Sequence, residues 1–448
     1  MSAESLGLTG ALSMALGGMI GGGIYAVLGV VVGITGGAVW LAFAGAGVVA
    51  MCSAYAYDRL NRISDAGTGG SVTFLQEFGD SATRAGMLGW TLLIGYVGSM
   101  AMYAFAFGEF TVGLPGVPDG VAGLPLRPLV SVGAVALFVG LNLAGTRSSG
   151  TAEVVLVAVK IAVLAAFGIG GVVFVAAVSP APLNLGTEKL TSFSPVMAAA
   201  VSFVAFQGWQ LLFYDQERIQ DATETIRRAI YLSIPVAVAI YVLVGVATVS
   251  LAPQALEQHP HTALATAAGT ILEPVGLAAL GSLIISASAL FSTGSAINAT
   301  LFSAAYFSKN LLAHDLLPDR LGDADVDGIP AKTLLALGAI TAASTAYGSL
   351  EAITTFASLA FLLVFGGMCY VALTLRDREL ITPAIPALGL LGTSGCFVLV
   401  FVHLYRAQRG TFFAVLLLAV AVVAVELAYF ERGVIEAEMP GVEAGSNG

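Results

Sequence analysis

The first apolar stretch of the chain carries Gly17-Gly18-Met19-Ile20-Gly21-Gly22-Gly23-Ile24 at its middle. Glycine is the poorest helix former after proline, so such a run halfway along a membrane-length segment predicts an interrupted helix. Backbone groups left unpaired in hydrocarbon are costly, and an interruption survives there only where it lines a cavity or meets a ligand. The run is therefore a candidate binding site.

Hydrocarbon is the expected solvent because 57% of the 448 residues are hydrophobic and 10% are charged. That balance describes a polytopic membrane protein built of helices. About 20 apolar residues cross the bilayer core, which predicts spans at Gly7 to Gly33, Gly37 to Tyr57, Gly86 to Phe110, Pro128 to Ala144, Val154 to Val178 and Pro195 to Phe213. Six more are expected at Ala229 to Leu251, Pro274 to Tyr306, Thr333 to Tyr347, Ala352 to Leu375, Pro386 to Leu404 and Thr411 to Phe430. The eighth is longer than one crossing needs and is expected to run on into the cytoplasm.

The N-terminus MSAESLGLTG has neither a basic region nor a cleavage motif, so the first span reads as retained rather than as a signal peptide. Cys52, Cys369 and Cys396 lie inside apolar spans without metal-ligand spacing, and His259, His261, His314 and His403 lie in or beside loops. No catalytic or metal motif and no cofactor site is expected. Retention of Lys and Arg on the cytoplasmic side puts both termini inside, with Arg127, Lys189, Arg406 and Arg409 outside. Of the eighteen basic residues only Lys160 is then left within a span. A net charge of -10 argues against nucleic acid and fits a prokaryote facing concentrated salt. Residues 431–448 read as a disordered cytoplasmic tail.

The sixth span supplies a second candidate interruption, because Phe203-Val204-Ala205-Phe206-Gln207-Gly208-Trp209-Gln210 places a polar Gln-Gly pair inside apolar sequence. Helices five apart cross in opposite directions, the parity of inverted repeats related by an axis in the membrane plane. Residues 1–194 and 195–380 would be the two repeats, and 381–430 two additional helices. The competing reading of each glycine segment is close helix packing, for which membrane helices commonly use glycine.

Several ordered motifs resemble the amino acid/polyamine/organocation superfamily over most of the chain. They are Ile20-Gly21-Gly22-Gly23-Ile24; Leu141-Asn142-Leu143-Ala144-Gly145 ahead of a span bearing Lys160; Ala205-Phe206-Gln207-Gly208-Trp209 followed by Glu217; Ile297-Asn298-Ala299-Thr300 running toward Asp315-Leu316-Leu317-Pro318; and Gly328-Ile329-Pro330. Asp65-Ala66-Gly67-Thr68-Gly69-Gly70-Ser71 keeps that family's paired glycine but lacks its usual proline and tyrosine, and Gln207 replaces a more usual apolar residue.

The resemblance implies a LeuT-type fold of five plus five helices, with the first and sixth helices broken, and an amino acid bound between the breaks. Free amides at Gly22, Gly23 and Ile24 would then suit a carboxylate. Carbonyls near Met19, Ile20, Phe203 and Ala205 would take an ammonium group, while Gly21, Phe206, Gln207, Gly208 and Trp209 would complete the site. In proton-coupled relatives a lysine matching Lys160 stands in place of a sodium ion, which predicts contacts from its amine to Gly18 and Met19 and to hydroxyls of the eighth span, Ser288, Ser292 and Ser295. The expectation is a plasma-membrane transporter importing a small or apolar neutral amino acid with a proton. Exchange, sodium coupling and a transporter-fold nutrient sensor are the alternatives.

Overall fold

The computed structural model describes residues 6–64, 69–79, 82–144, 150–179, 182–313, 316 and 330–430. Helix α1 (Leu8–Thr35) is stopped at Gly36, which takes φ +59°, and a short 3₁₀ turn leads to α2 (Val39–Ile63). After α3 (Ser71–Phe78) and α4 (Ala82–Val112), a two-residue hairpin pairs β1 (Gly120–Val121) with β2 (Leu124–Pro125). Helices α5 (Leu126–Leu143) and α6 (Gly150–Ala177) follow. The sixth span is assembled from α7 (Ser194–Val201), a 3₁₀ turn over Ser202–Phe206 and α8 (Leu211–Tyr214).

Helix α9 (Ala222–Leu251) is followed by two shorter helices, α10 (Pro253–Gln258) and α11 (Ala263–Leu272). The chain continues through α12 (Ala278–Ala313), α13 (Ala331–Tyr347), α14 (Leu350–Thr374), α15 (Ala384–Ala407) and α16 (Arg409–Phe430). Among the described residues nine segments are long and apolar enough to cross a membrane, and the first, Leu8–Ile63, holds both α1 and α2. With the shorter α13 and α16, these helices agree with the spans expected from the sequence. The 36 residues of α12 correspond to about 54 Å of helix, well beyond the roughly 30 Å of hydrocarbon. Its start differs from expectation: Glu273–Val275 forms a separate 3₁₀ turn after α11, and α12 begins at Ala278.

One expectation about the backbone is overturned. Helix α1 runs without interruption through the glycine run. The amides of Gly22, Gly23 and Ile24 therefore lie within an unbroken helix and are not free for a carboxylate. Glycine's cost in a helix is of order 1 kcal/mol per residue, and burial among neighbouring helices outweighs it here. The sixth span is broken, as expected. Residues 65–68, 145–149, 314–315, 317–329 and 431–448, which carry parts of the quoted motifs and the tail, lie outside the described residues.

Small residues set how closely the helices approach. A Cβ at Gly98 would meet Ala357 and one at Gly95 would meet Ala360, while Gly367 faces Leu88. As residue numbers on α4 fall, their partners on α14 rise, so the two helices are antiparallel neighbours. Helix α1 lies at the centre, with every residue from Met19 to Val31 buried. The apolar side chains of α6, α15 and α16 supply much of the exposed surface, including Val159, Leu391 and Leu417.

Candidate functional site

The glycine run and the sixth-span break meet each other. A Cβ placed on Gly18 would lie 2.7 Å from the Cα of Gly208, and one on Gly208 would lie 2.6 Å from the backbone of Gly18. Gly208 also takes φ +127°, a conformation that side chains rarely adopt. Two backbones thus touch where one helix is continuous and the other is not. A second tie lies near the start of α1, where the Leu6 amide donates to Arg218 O at 2.7 Å and the Gln220 amide to Leu6 O at 2.9 Å. From Leu8 to Gly18 the two ties are separated by about 15 Å of helix.

Side chains replace the hydrogen bonds that the break removes. The Ser358 hydroxyl of α14 donates to Val201 O at 2.5 Å and accepts from the Val204 amide at 3.1 Å. The Gly208 amide donates to Gln210 Oε1 at 2.6 Å, and Gln210 Nε2 donates to Gln207 Oε1 at 3.3 Å. Gln207 Nε2 in turn donates to the Tyr103 hydroxyl of α4 at 2.5 Å. Buried backbone groups are normally paired, and Gln207, Gln210 and Ser358 are all buried beside the break. A single hydroxyl, that of Tyr241 on α9, lies 2.6 Å from Met19 O and 2.9 Å from Ala205 O. Its one proton is shared between the two spans.

Gly21, Gly22 and Gly23 of α1 each admit a different neighbour. A Cβ on Gly21 would come within 2.8 Å of Ala296 on α12, one on Gly22 within 1.9 Å of the Tyr103 ring, and one on Gly23 within 2.5 Å of the Tyr241 hydroxyl. Although the helix is unbroken, its carbonyls have a second lone pair, and three of them use it. Gly17 O accepts from Lys160 at 3.2 Å, Met19 O from Tyr241, and Ile20 O from Ser292 at 3.1 Å. Helices α6, α9 and α12 all reach the same two turns of α1.

Lys160 is buried, with 5% of its surface exposed. Its hydrogen bond is to Gly17 O rather than to Gly18 or Met19, as a small difference in helix phase dictates. The eighth-span hydroxyls bond elsewhere: Ser292 to Ile20 O, Ser288 to the Tyr25 hydroxyl at 2.7 Å, and Ser295 to Ser292 O of its own helix. Thus α1 is held by Lys160 on one side and by Ser292 and Ser288 on the other.

The aromatic residues of the sixth span stand in one packed group. The Trp209 ring lies 5.1 Å from that of Tyr57 and 5.0 Å from that of Phe365, while Phe203 lies 5.7 Å from Phe365 and Phe206 lies 5.3 Å from Tyr241. Trp209 and Phe206 are fully buried. Below them Ser71, at the start of α3, bonds both the Tyr57 hydroxyl and the Tyr214 hydroxyl. Gly70, at φ +125°, is the glycine that lets the Tyr214 ring approach. At the end of this span Asp215 pairs with Arg218 at 3.2 Å. Burial raises its carboxyl above the usual range, opposed by the guanidinium.

Tyr103, Tyr241, Gln210 and Ser358 were not singled out from the sequence as site residues. Gln210 had a local signal, since it closes the polar Gln-Gly segment. The other three lie in spans whose sequence gives no sign of which neighbour they face.

The family model described as amino acid permease matches residues 6–428. The chain belongs to the amino acid permease family. The permease is 27% identical to an uncharacterized protein of Methanocaldococcus jannaschii over 95% of both chains. It is 29% identical to the inner membrane transport protein YbaT of Escherichia coli, over 70% of this chain and 71% of that one. In structure it is similar to the manganese transporter of Eremococcus coleocola, with a TM-score of 0.61, 12% identity, and coverage of 96% of this chain and 94% of that one. The permease is a multi-pass membrane transporter with a LeuT-like fold, and its family is one of transporters rather than enzymes.

Proposed function

We propose that the permease imports an amino acid together with a proton by alternating access, and that Lys160 carries the proton. The observation behind this reading is the buried Lys160 amine donating to Gly17 O, two turns or less from the contact of Gly18 with Gly208. A lone ionisable group buried within an apolar span is costly to keep and commonly marks an ion or proton pathway. Charged, it holds the carbonyl of Gly17; neutral, it donates more weakly, and α1 is freer to move against α6.

The substrate lies between Met19, Ile20, Gly21, Gly22, Gly23 and Ile24 on one side and Phe203, Ala205, Phe206, Gln207, Gly208 and Trp209 on the other. Its ammonium competes for Met19 O and Ala205 O, which share one Tyr241 proton. Residues 1–194 and 195–380 act as inverted repeats, the termini face the cytoplasm, and Gly18, Ser288 and Ser292 position α1 during the cycle. The membrane is the plasma membrane of a prokaryote.

Purified permease in proteoliposomes, given a radiolabelled neutral amino acid and an imposed pH gradient, tests the reading. Wild type should accumulate substrate, and a sodium gradient should not replace the proton gradient. Lys160→Ala should still bind substrate but lose concentrative uptake by at least ten-fold. Accumulation by Lys160→Ala under the proton gradient alone would overturn the role of Lys160, and binding without transport in wild type would make the protein a sensor.

A further inference from the structure

The turn between α10 and α11, His259 to Thr262, lies over α1 and α4 at the end of the bundle away from the Leu6 tie. A Cβ on Gly29 of α1 would meet Pro260 O at 2.4 Å, and one on Gly113, just beyond α4, would meet Thr262 Cγ2 at 3.2 Å. The Thr262 amide donates to His259 O at 3.1 Å, which closes the turn. One turn of α1 deeper, Tyr25 bonds Ser288 of α12, and its ring lies 5.9 Å from that of Phe110 on α4. From Gly29 to Gly22 is about 10 Å of helix, so the turn covers the approach to the glycine run from that end.

One corner fastens this turn. Arg127, near the start of α5, sets its guanidinium 3.9 Å from the centre of the Phe105 ring of α4 and donates to Thr345 O of α13 at 2.7 Å. The same Phe105 ring meets the His261 imidazole at 5.7 Å and an angle of 80°. His261 Nδ1 is buried and has no hydrogen-bond partner among the described residues. A neutral imidazole can leave that nitrogen bare, whereas an imidazolium must carry a proton there with no acceptor, beside a fixed guanidinium. Around His261 stand Arg127, Glu109 of α4 and the exposed His259 of the turn itself, while α1 contributes Tyr25, whose hydroxyl is bonded to Ser288. The Glu109 carboxylate lies 3.9 Å from Arg127 Nε and interacts with His259. Burial, and then the guanidinium, hold the His261 imidazole below the usual histidine range.

We propose that this turn is an acid-released clasp: with His261 neutral it stays closed on α1 and α4, and with His261 protonated it lifts and uncovers the layer of Tyr25 and Phe110. The direction follows from linkage. In the lifted turn the imidazole returns to its ordinary pKa of about 6.5, so the open form takes up a proton more readily than the closed one. The closed form is fully favoured above about pH 6.5 and loses that advantage as the pH falls below it. Protonation of His259 acts in the opposite sense, since its charge is drawn to Glu109. On the proposed orientation the turn lies on the outer face, where the acid that supplies the coupling proton would also open the path to the site.

The test is the rate at which a water-soluble maleimide labels Phe110→Cys in the detergent-purified full-length protein. Phe110 is 1% exposed beneath the turn, and the native cysteines Cys52, Cys369 and Cys396 are buried. Dividing by the rate in Phe110→Cys with His261→Gln at the same pH removes the ionisation of the thiol. About one unit above the ordinary histidine pKa the ratio should be near one, and about one unit below it the ratio should rise at least three-fold. His259→Gln should keep that rise. A Cβ on Gly113 would lie 3.7 Å from Thr262 Cβ, within the roughly 3.5–4.5 Å of a disulfide, so bridging Gly113→Cys to Thr262→Cys should abolish the rise until the bridge is reduced. If Phe110→Cys does not fold, Ala106→Cys, one turn deeper on the same face of α4 and 2% exposed, gives the same comparison. A ratio that does not change with pH, a ratio that falls in acid, a rise abolished by His259→Gln, or a rise that survives the bridge would each overturn the clasp. Neither substrate, orientation nor coupling ion enters this readout, so the clasp and the proposed transport cycle can fail independently.

Discussion

The first and sixth spans both place glycine at mid-membrane, yet α1 stays helical while the sixth span unwinds. The difference lies in what surrounds each glycine. In α1 every glycine from Gly18 to Gly23 keeps helical dihedrals and uses its missing side chain to admit Gly208, Ala296, Tyr103 or Tyr241. In the sixth span Gly208 adopts φ +127°, and Ser358 and Gln210 take over the hydrogen bonds of the interrupted turn. Glycine therefore permits a break without causing one, and the break forms where polar side chains from elsewhere can satisfy it.

This contrast is most sharply tested at the point where the two spans touch. Gly208→Ala should have the largest effect, because the strained dihedral costs roughly 1–3 kcal/mol and the clash with Gly18 adds about as much again by overpacking. Its Tm should fall further than that of Gly18→Ala, which meets the same contact at 2.7 Å without a positive φ. Equal losses would remove the distinction between the two glycines.

Next in size is Gly22→Ala, whose methyl would stand 1.9 Å from the Tyr103 ring. Overpacking of this kind typically costs about 1–3 kcal/mol. If packing on Tyr103 is the reason for glycine, Tyr103→Ala should relieve much of the loss in the double variant, with a coupling of about 0.5–3 kcal/mol in thermal or denaturant unfolding. Strict additivity would mean that Gly22 is needed for something other than this contact.

A pair of serines compares hydrogen bonding in the two spans. Ser358→Ala leaves a buried amide and carbonyl of the break without their partner and should cost about 1–3 kcal/mol. Ser292→Ala removes a second bond to Ile20 O, a carbonyl already within a helix, and should cost only about 0.5–1.5 kcal/mol. Matching Tm shifts would show that α1 depends on side-chain bonds as much as the break does. The smallest effect is expected at Gly33, where an added Cβ meets nothing within 4 Å. Gly33→Ala should raise stability by up to about 1 kcal/mol, and a loss at that site would mean that α1 needs flexibility beyond its packed segment.

Much of the site was legible in residue types while its contacts were not. Lys160 stood out as a lone base in an apolar run, but its acceptor is Gly17 O rather than Gly18 or Met19, because one residue turns a helix by about 100°. The hydroxyls of Ser288, Ser292 and Ser295 were expected around the Lys160 amine, but Ser292 bonds Ile20 O and Ser288 bonds Tyr25, both on α1, while Ser295 bonds its own helix. Ser358 and Tyr241 had no local signal because a serine or tyrosine in a span looks the same whether it bonds its own helix or another.

Apolar length and sparse charge determined the membrane class and the helix positions, since each span must satisfy its backbone internally and fit one hydrocarbon thickness. The ordered motifs carried the family, and the Gln207-Gly208 pair marked the true break. Whether Gly17 to Gly23 would bend, pack or bind was decided only in three dimensions. The outcome rests on Gly208, Tyr103, Tyr241 and Ala296 arriving from four other segments. A glycine is the absence of a side chain, and only the neighbour that fills the space gives that absence a purpose.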